Sequence, residues 1–391
     1  MKIVFLAPFG IRPKGTVVAR MIPLAVELQK LGHIVTIVAP PYTNPEDSGI
    51  IVMVRGVRLV NITLPNLGKA LGALPMAWRM FRATMKEAPY VVHLFKPKGY
   101  GGLAAMLLII LRHLGIRMPR LFVDTDDWEG KGGMNELHSY SPVEKRLFAF
   151  QETWLSRHTD GMTVASRELE RLTRELGVPP DHILYLPNGV EETAPGNGAP
   201  IRQSLGVMPG TPVVLLYTRY FEFSQERLYR VFAGISRRVP GVRFLVVGKG
   251  RHSEEEFLLS ASREYGFAEN LIMAGWVEPH EIQNYLAAAD VAIYPLDDTL
   301  VNRAKCPAKL TEIILAGIPV VADGIGQARE YLHDMDLLSN PADESGMVGK
   351  VAAAIDNRQQ TAFSAEQGLH HIVEHFAWKK MAVGLEHFYQ R

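Results

Sequence analysis

The segment Asn302-Arg303-Ala304-Lys305-Cys306-Pro307-Ala308-Lys309-Leu310-Thr311-Glu312 gathers groups suited to a phosphorylated ligand. Pro307 suits a first helical turn, where a missing N–H costs little. Arg303 and Lys305 precede it, so cations would reinforce the anion-binding amides of the helix N-terminus. Lys309 and Glu312 stand three apart and can share one helix face. Glu312 could accept two hydroxyl hydrogen bonds, as a ribose would supply, or simply pair with Lys309 on a solvated face. Arg219, after Leu215-Leu216-Tyr217-Thr218, ends an apolar run. Its guanidinium matches phosphate geometry bidentately, although a surface ion pair is the plainer use of such an arginine. Gly248, in Val246-Val247-Gly248-Lys249-Gly250, marks another glycine turn after an apolar run.

A second concentration is Asp124-Thr125-Asp126-Asp127-Trp128-Glu129-Gly130-Lys131-Gly132-Gly133. Acids spaced this way could orient acceptor hydroxyls, act as a general base or hold a divalent cation. The plainer alternative has one aspartate capping a turn and the others solvated. A metal is the least expected use, because one cluster supplies few ligands. Near the start, Ala7-Pro8-Phe9-Gly10 and Arg12-Pro13-Lys14-Gly15-Thr16 lie between a strand and a helix. Gly15 would let backbone approach a ligand closely, or would serve an ordinary turn. The spacing is not that of a dinucleotide fingerprint.

These residues sit in a repeated alternation of short apolar runs and helix-length segments. Strands are expected at Lys2–Ala7, Ile34–Ala39, Val57–Leu64, Tyr90–Phe95, Leu121–Thr125, Gly161–Ala165 and Ile183–Leu186, with a helix over Thr16–Leu31. A second series has strands at Pro212–Tyr217, Val242–Val247, Leu271–Ala274, Val291–Tyr294 and Pro319–Ala322. Its helices are Gln225–Val239, Glu254–Tyr265, Pro279–Ala289 and Pro307–Ala316. Continuous apolar strands joined by helices predict parallel sheets covered on both faces. The run Glu191–Pro200 is rich in Gly, Pro and small residues and lacks apolar periodicity. The fold class is therefore α/β, with Rossmann-like domains at 1–190 and 201–370, a linker at 191–200 and a terminal segment at 371–391. Ligands of such sheets bind beyond the carboxyl ends of the strands, in a crevice.

With 391 residues, two cores are expected, and 47% hydrophobic against 21% charged residues is a globular composition. The net charge of +1 hides an asymmetry. Residues 51–120 carry eleven basic side chains, Lys69 and Lys96 among them, against the single acid Glu87. Within that stretch Leu67, Leu71, Leu74, Met76, Trp78, Met80 and Phe81 alternate with Lys69, Arg79 and Arg82. Such a segment either lies on an anionic bilayer surface or forms a core helix with solvated bases. No nucleic-acid motif accompanies the charge. One cysteine, Cys306, fits a reducing compartment. Met1–Pro8 does not read as a secretory signal, and the apolar run Leu103–Leu111 is far short of the roughly 20 residues a span needs. A cytoplasmic protein is expected, peripheral on the inner face of the membrane if the basic segment docks there.

Taken together, the chain resembles the retaining GT-B glycosyltransferases of family four. Thr159-Asp160-Gly161-Met162-Thr163-Val164-Ala165-Ser166, Leu176-Gly177-Val178-Pro179 and Leu186-Pro187-Asn188-Gly189-Val190 resemble the end of that family's first domain. Ala274-Gly275-Trp276-Val277, Leu286–Pro295 and Ala316-Gly317-Ile318-Pro319-Val320-Val321 resemble its second domain. Phe376-Ala377-Trp378 and the helix after it resemble its terminal segment, which crosses back onto the first domain.

The resemblance implies a nucleoside diphosphate sugar as donor, UDP- or GDP-linked, and no metal or other cofactor. Glu312 would hold the ribose. Arg219, Arg303, Lys305, Lys309 and the amides near Cys306 to Leu310 would hold the diphosphate. Gly248 and Val277 would line the nucleotide, and Gly15 would admit the donor phosphate or the acceptor. Asp126 and Asp127 fall about where the family places a His-Asp pair at the reacting sugar, and His93 and Lys96 are assigned to a small-molecule, glycan or lipid-linked acceptor. Three positions depart from the family: Ala304 replaces a glutamate, Ser224 a lysine and Asp126 a histidine. Arg227, Arg303, Lys305 or Lys309 would then supply the missing lysine's charge. A Cys-Pro-x-Lys-Leu-x-Glu form of the helix accounts for the pattern. Sugar-nucleotide epimerisation, or nucleotide-sugar binding without catalysis, are the competing readings.

Overall fold

The computed structural model describes residues 1–12, 15–68, 71–332 and 337–391. Lys69 of the basic stretch, and Pro13 and Lys14 of the first loop, lie outside them. The chain divides into two compact units. One comprises Met1–Gly189, Ala304–Cys306 and Phe376–Arg391, and the other Val190–Arg303 and Pro307–His375.

The first unit contains β1 (Lys2–Leu6), β2 (Ile34–Ala39), β3 (Ile51–Val54), β4 (Val57–Asn61), β5 (Val91–Phe95), β6 (Arg120–Thr125), β7 (Gly161–Val164) and β8 (Ile183–Tyr185). They form one sheet in the order β3-β4-β2-β1-β5-β6-β7-β8. Every pairing is parallel except β3 with β4. That hairpin departs from the purely parallel alternation expected of the sequence. Arg55 and Gly56 both take positive φ, 51° and 80°, which is the two-residue turn that matches strand twist.

The expected helix over Thr16–Leu31 is a π-turn at Val17–Met21 followed by an α-helix at Ile22–Lys30. Pro23 has no N–H to donate, and the Ile22 amide reaches back five residues to the Val17 carbonyl. The wide turn carries Arg20 into the interior, where it is 1% exposed.

The second unit contains β9 (Val213–Tyr217), β10 (Arg243–Val247), β11 (Leu271–Gly275), β12 (Val291–Tyr294), β13 (Val320–Asp323) and β14 (Leu338–Ser339), ordered β11-β10-β9-β12-β13-β14. All its pairings are parallel. A helix over Gly198–Ser204 begins inside the stretch expected as linker, because Asn197 accepts the Ala199 amide at 3.2 Å and caps it. The helix expected over Pro279–Ala289 is confined to Ile282–Leu286. The terminal helix, Trp378–Gln390, buries Trp378, Leu385, Phe388 and Tyr389 in the core of the first unit with Phe5, Phe95 and Phe122. Gly161 makes room for it: a Cβ there would lie 2.8 Å from the Phe388 ring and 2.9 Å from Phe122.

Strand order reverses at β1 in one unit and at β9 in the other, where successive crossovers leave in opposite directions. The loop holding Gly15 follows β1, Lys96 follows β5, Asp126 and Asp127 follow β6, and Arg219 follows β9.

Candidate active site

In the first unit, neighbouring strands β5 and β6 end side by side and deliver opposite charges to one spot. Lys96 adopts φ 60°, a strained left-handed conformation for a lysine, while its amide donates to the Asp124 carbonyl at 2.9 Å. Its Nζ lies 2.6 Å from Asp126 Oδ1, 2.5 Å from Asp127 Oδ2 and 3.6 Å from Glu129 Oε1. Lys98 Nζ meets Glu129 Oε2 at 2.8 Å, and the Thr16 hydroxyl donates to Asp126 Oδ2 at 3.2 Å. The first loop is thereby tied to the acids just after Gly15, whose carbonyl accepts the amides of Val18 and Ala19. Burial opposes the charge on Lys96, but Asp126, Asp127 and Glu129 outweigh it and hold the ammonium protonated. Burial also pushes Asp126 up, yet Lys96 and Arg20 win and keep its carboxyl below the ordinary value. Asp127 goes the other way: burial, with Asp126 and Glu129 nearby, raises it despite Lys96. Adjacent carboxyls with divergent ionisation are suited to separate positioning and proton-handling tasks.

Lys96, assigned from the sequence to an acceptor, is thus engaged by Asp126 and Asp127. His93 is corrected outright. It is 0% exposed in the middle of β5, with Nδ1 2.6 Å from the Tyr389 hydroxyl and Nε2 3.2 Å from Thr163 Oγ1. Thr163 gives its proton to Asp124, so His93 Nε2 donates to Thr163 and Tyr389 donates to Nδ1. Burial, with Arg20 nearby, holds the imidazole neutral. It joins the terminal helix to the sheet and offers no atom to a ligand.

Sequence reasoning missed the ion pair beneath this cluster. Arg20 donates to both Asp124 oxygens, Nε at 2.8 Å and Nη2 at 2.6 Å, and also to the Leu186 carbonyl and Asn188 Oδ1. Asn188 in turn donates from its amide to Cys306 Sγ at 3.1 Å and from Nδ2 to the Cys306 carbonyl at 2.7 Å, so the one cysteine has a structural tie. Glu152, wholly buried, accepts the Glu129 amide at 3.2 Å. Burial first, then the charge of Glu129, pushes its pKa well above the ordinary 4.5. Below that ordinary value the stability this group contributes is fully present, and it is lost as pH rises toward the folded value, because only the folded chain retains the proton. Glu152→Gln mimics the protonated acid and should flatten the decline of stability as pH rises above the ordinary carboxyl value of 4.5, read by urea denaturation. An undiminished decline would show that Glu152 is not its source.

In the second unit, the helix Ala308–Leu315 carries Lys309 and Glu312 on one face. Lys309 Nζ stands 3.3 Å from the centre of the Tyr217 ring and donates to the Thr218 carbonyl at 3.4 Å, while burial and the nearby charge of Glu312 push the Tyr217 phenol above its ordinary value. Lys309, Glu312 and the end of β9 are therefore brought together, with Arg219 exposed two residues beyond Tyr217. Gly248 has φ 128° and donates to the Gly275 carbonyl at 2.7 Å; a Cβ on it would stand 2.0 Å from the Thr218 carbonyl. It closes the ends of β9, β10 and β11 against one another. Val277 follows β11 beside Trp276, which is 61% exposed. Leu310 is buried, so only its backbone can serve a ligand.

Arg303 is not drawn into this group: its guanidinium forks onto Asp298 at 2.5 and 2.8 Å. Arg227 is buried against Asp323 at 2.8 Å and Asp297 at 3.5 Å, so its charge is already matched. Lys305 is buried in the short segment belonging to the first unit. Ala304 is fully buried and its carbonyl accepts the Ser166 hydroxyl at 2.6 Å. Ser224 stands exposed at the N-cap of the helix Gln225–Arg238. Among the described residues no group of three or more His, Cys, Asp or Glu side chains is arranged to hold a metal ion.

Residues 15–189 match the model of a glycosyl transferase 4-like domain, and residues 211–357 match that of the glycosyl transferases group 1. The chain belongs to the group 1 glycosyltransferases of GT-B fold. Among curated relatives, this glycosyltransferase is 25% identical over 255 residues to a D-inositol 3-phosphate glycosyltransferase of Nocardia farcinica, covering 62% of this chain and 54% of that one. It is 25% identical over 239 residues to a GDP-mannose-dependent alpha-(1-6)-phosphatidylinositol monomannoside mannosyltransferase of Mycobacterium tuberculosis, covering 59% and 61%. The matched spans are thus little more than half the length of these relatives. Among solved structures, sucrose-phosphate synthase from Thermosynechococcus elongatus superposes with TM-score 0.76 at 15% identity, covering 100% of this chain and 98% of that one. HepE of Anabaena in complex with UDP-glucose gives 0.73 at 19% identity and complete coverage of both. These two likenesses establish the fold.

Proposed function

We propose that this glycosyltransferase moves a hexose-type sugar from a nucleoside diphosphate donor to an acceptor hydroxyl, with retention of anomeric configuration. The observation that carries this reading is the grouping of Lys309, Glu312 and Tyr217 at the carboxyl end of β9. Glu312 binds the donor ribose. Lys309, Arg219 and the first amides of the helix after Pro307 stabilise the departing diphosphate, a demand that fixed cations and oriented N–H groups meet without a metal. Val277 and Trp276 pack on the base. The acceptor attacks from the face the diphosphate leaves, and the diphosphate takes the hydroxyl proton. Asp126, held ionised, and Asp127, held more basic, position sugar and acceptor, with Lys96 fixing both carboxylates. The donor is a UDP- or GDP-sugar, a choice supported by the UDP-glucose bound by the Anabaena protein and by the GDP-mannose dependence of the mycobacterial one.

A thermal-shift screen against UDP-, GDP-, ADP- and dTDP-sugars tests the donor site, because a ligand that binds the folded state raises its melting temperature. A rise with one nucleotide class is expected. No rise with any of them would contradict the reading. A rise accompanied by interconversion of the sugar nucleotide, or by neither hydrolysis nor transfer, would favour the epimerase or the non-catalytic binding reading.

The acceptor is lipid-linked or a cell-surface glycan precursor, reached at the cytoplasmic face of a membrane. Among the described residues no helix is long and apolar enough to cross a bilayer. Leu67, Leu71, Leu74 and Trp78 are nevertheless half or more exposed, at 53%, 76%, 74% and 50%. On the helix Ala73–Lys86, Leu74, Trp78 and Arg82 follow one another at four-residue steps along its outward face. An apolar face bordered by bases suits an anionic bilayer surface. The protein should float with anionic vesicles at low salt and lose most of that association in Leu74→Ser/Trp78→Ser. Absence of flotation would remove the membrane from the scheme.

A further inference from the structure

Glu129 follows Asp127 by two residues but has no part in the chemistry assigned to Asp126 and Asp127. It is 1% exposed, so its carboxylate is closed to a ligand and can act only through its neighbours. Its backbone is fixed from both sides: the amide donates to Glu152 Oε2 at 3.2 Å, and the carbonyl accepts from Asn135 Nδ2 at 2.5 Å. Its carboxylate stands between two ammoniums, 2.8 Å from Lys98 Nζ and 3.6 Å from Lys96 Nζ. Lys98 is held in turn by Asn135 Oδ1 at 3.2 Å and lies 5.6 Å from the centre of the Tyr140 ring. The Lys96 ammonium therefore faces three carboxylates. Of these only Asp127 and Asp126 reach solvent, with side chains 21% and 12% exposed against 0% for Glu129.

We propose that Glu129 is a positioning residue of the reacting site: pinned by Lys98, it competes with Asp127 for the Lys96 ammonium and so leaves Asp127 able to accept from the attacking hydroxyl. This rests on the transfer reading, in which Asp127 positions the acceptor. A charge on Glu129 repels the charge on Asp127 and draws on the cation they share, and both effects keep Asp127 protonated to higher pH. Burial raises the Asp127 carboxyl, and Asp126 and Glu129 add to the rise against the pull of Lys96. The other charged or titratable groups around the pair are Lys98 at the start of the helix Gly99–His113, Arg20 from the π-turn, Glu152 from the helix Pro142–His158 and the Tyr42 phenol after β2.

The test is the pH dependence of nucleoside diphosphate release from UDP-glucose and GDP-mannose by the full chain, with water as the acceptor. Wild type should lose kcat along an acid limb as Asp127 takes up its proton. In Glu129→Gln the midpoint of that limb should fall by about one pH unit, the low end of what a neighbouring charge does to a carboxyl, while the donor KM stays put. Glu129→Gln leaves Lys98 without its carboxylate, so Glu129→Gln/Lys98→Met is measured beside it. Removing both members of that pair should restore the melting temperature and keep the lowered limb. An unmoved limb in both variants, or a rate reduced by one factor at every pH, would reduce Glu129 to a packing residue and overturn the proposal. Turnover of neither sugar nucleotide by wild type would instead overturn the transfer reading, and this proposal with it.

Discussion

Arg20→Met is expected to destabilise the first unit by about 3–5 kcal/mol, the cost of stranding one member of a buried ion pair. Arg20 and Asp124 are 1% and 0% exposed at the side chain. Without the guanidinium, Asp124 keeps only the Thr163 hydroxyl among the side chains that serve its carboxylate, and the Leu186 carbonyl and Asn188 side chain lose their donor. Arg20→Lys retains the charge but not the planar fork, so an intermediate loss is expected. Arg20→Met/Asp124→Leu removes both charges and should recover most of the stability, because a buried pair is often worth little more than apolar residues of like volume. Urea midpoints of the three variants measure this. A single variant as stable as the double would contradict the view that Asp124 depends on Arg20 for its charge.

Glu312→Ala is expected to weaken the donor about a hundredfold or more. Two hydroxyl bonds to a carboxylate are lost, each on the order of 1.5 kcal/mol, and every 1.4 kcal/mol is tenfold. Glu312 is only half buried, and the helix core is made by Leu310, Ile313 and Ile314, so the melting temperature of the unliganded chain should move little. The thermal shift given by the donor should vanish in the same variant. A shift of undiminished size would remove Glu312 from the site.

Apolar runs punctuated by Gly and Pro made most strands legible, because buried parallel strands need continuous Val, Ile and Leu. The hairpin of β3 and β4 was not legible: Ile51-Val52-Met53-Val54 is a short run whose alternate side chains stay exposed, and its partner is named only by the turn at Arg55 and Gly56. Nor was the π-turn at Val17–Met21, which Pro23 hints at but does not specify. At the site, Lys309 and Glu312 were legible from their spacing on one helix. Tyr217 was not, since a tyrosine ending an apolar strand reads as core until the helix beside it is placed. Lys96 and Asp126 were legible as charges but not as partners, because their meeting depends on β5 and β6 being neighbours, 31 residues apart in the case of Lys96 and Asp127. Arg20 and Asp124 lie 104 residues apart and announce nothing locally. His93 misled because histidine in a strand resembles a ligand when its buried partners, Tyr389 and Thr163, are far along the chain.

The most direct measurement is proton NMR of the full chain incubated with UDP-glucose or GDP-mannose, following the anomeric signal before mutarotation sets in. Release of nucleoside diphosphate together with a sugar of the donor's own anomeric configuration, lost in Glu312→Ala, is the expected result. An inverted sugar, an epimerised sugar nucleotide formed without diphosphate release, or an intact donor after prolonged incubation would contradict retaining transfer.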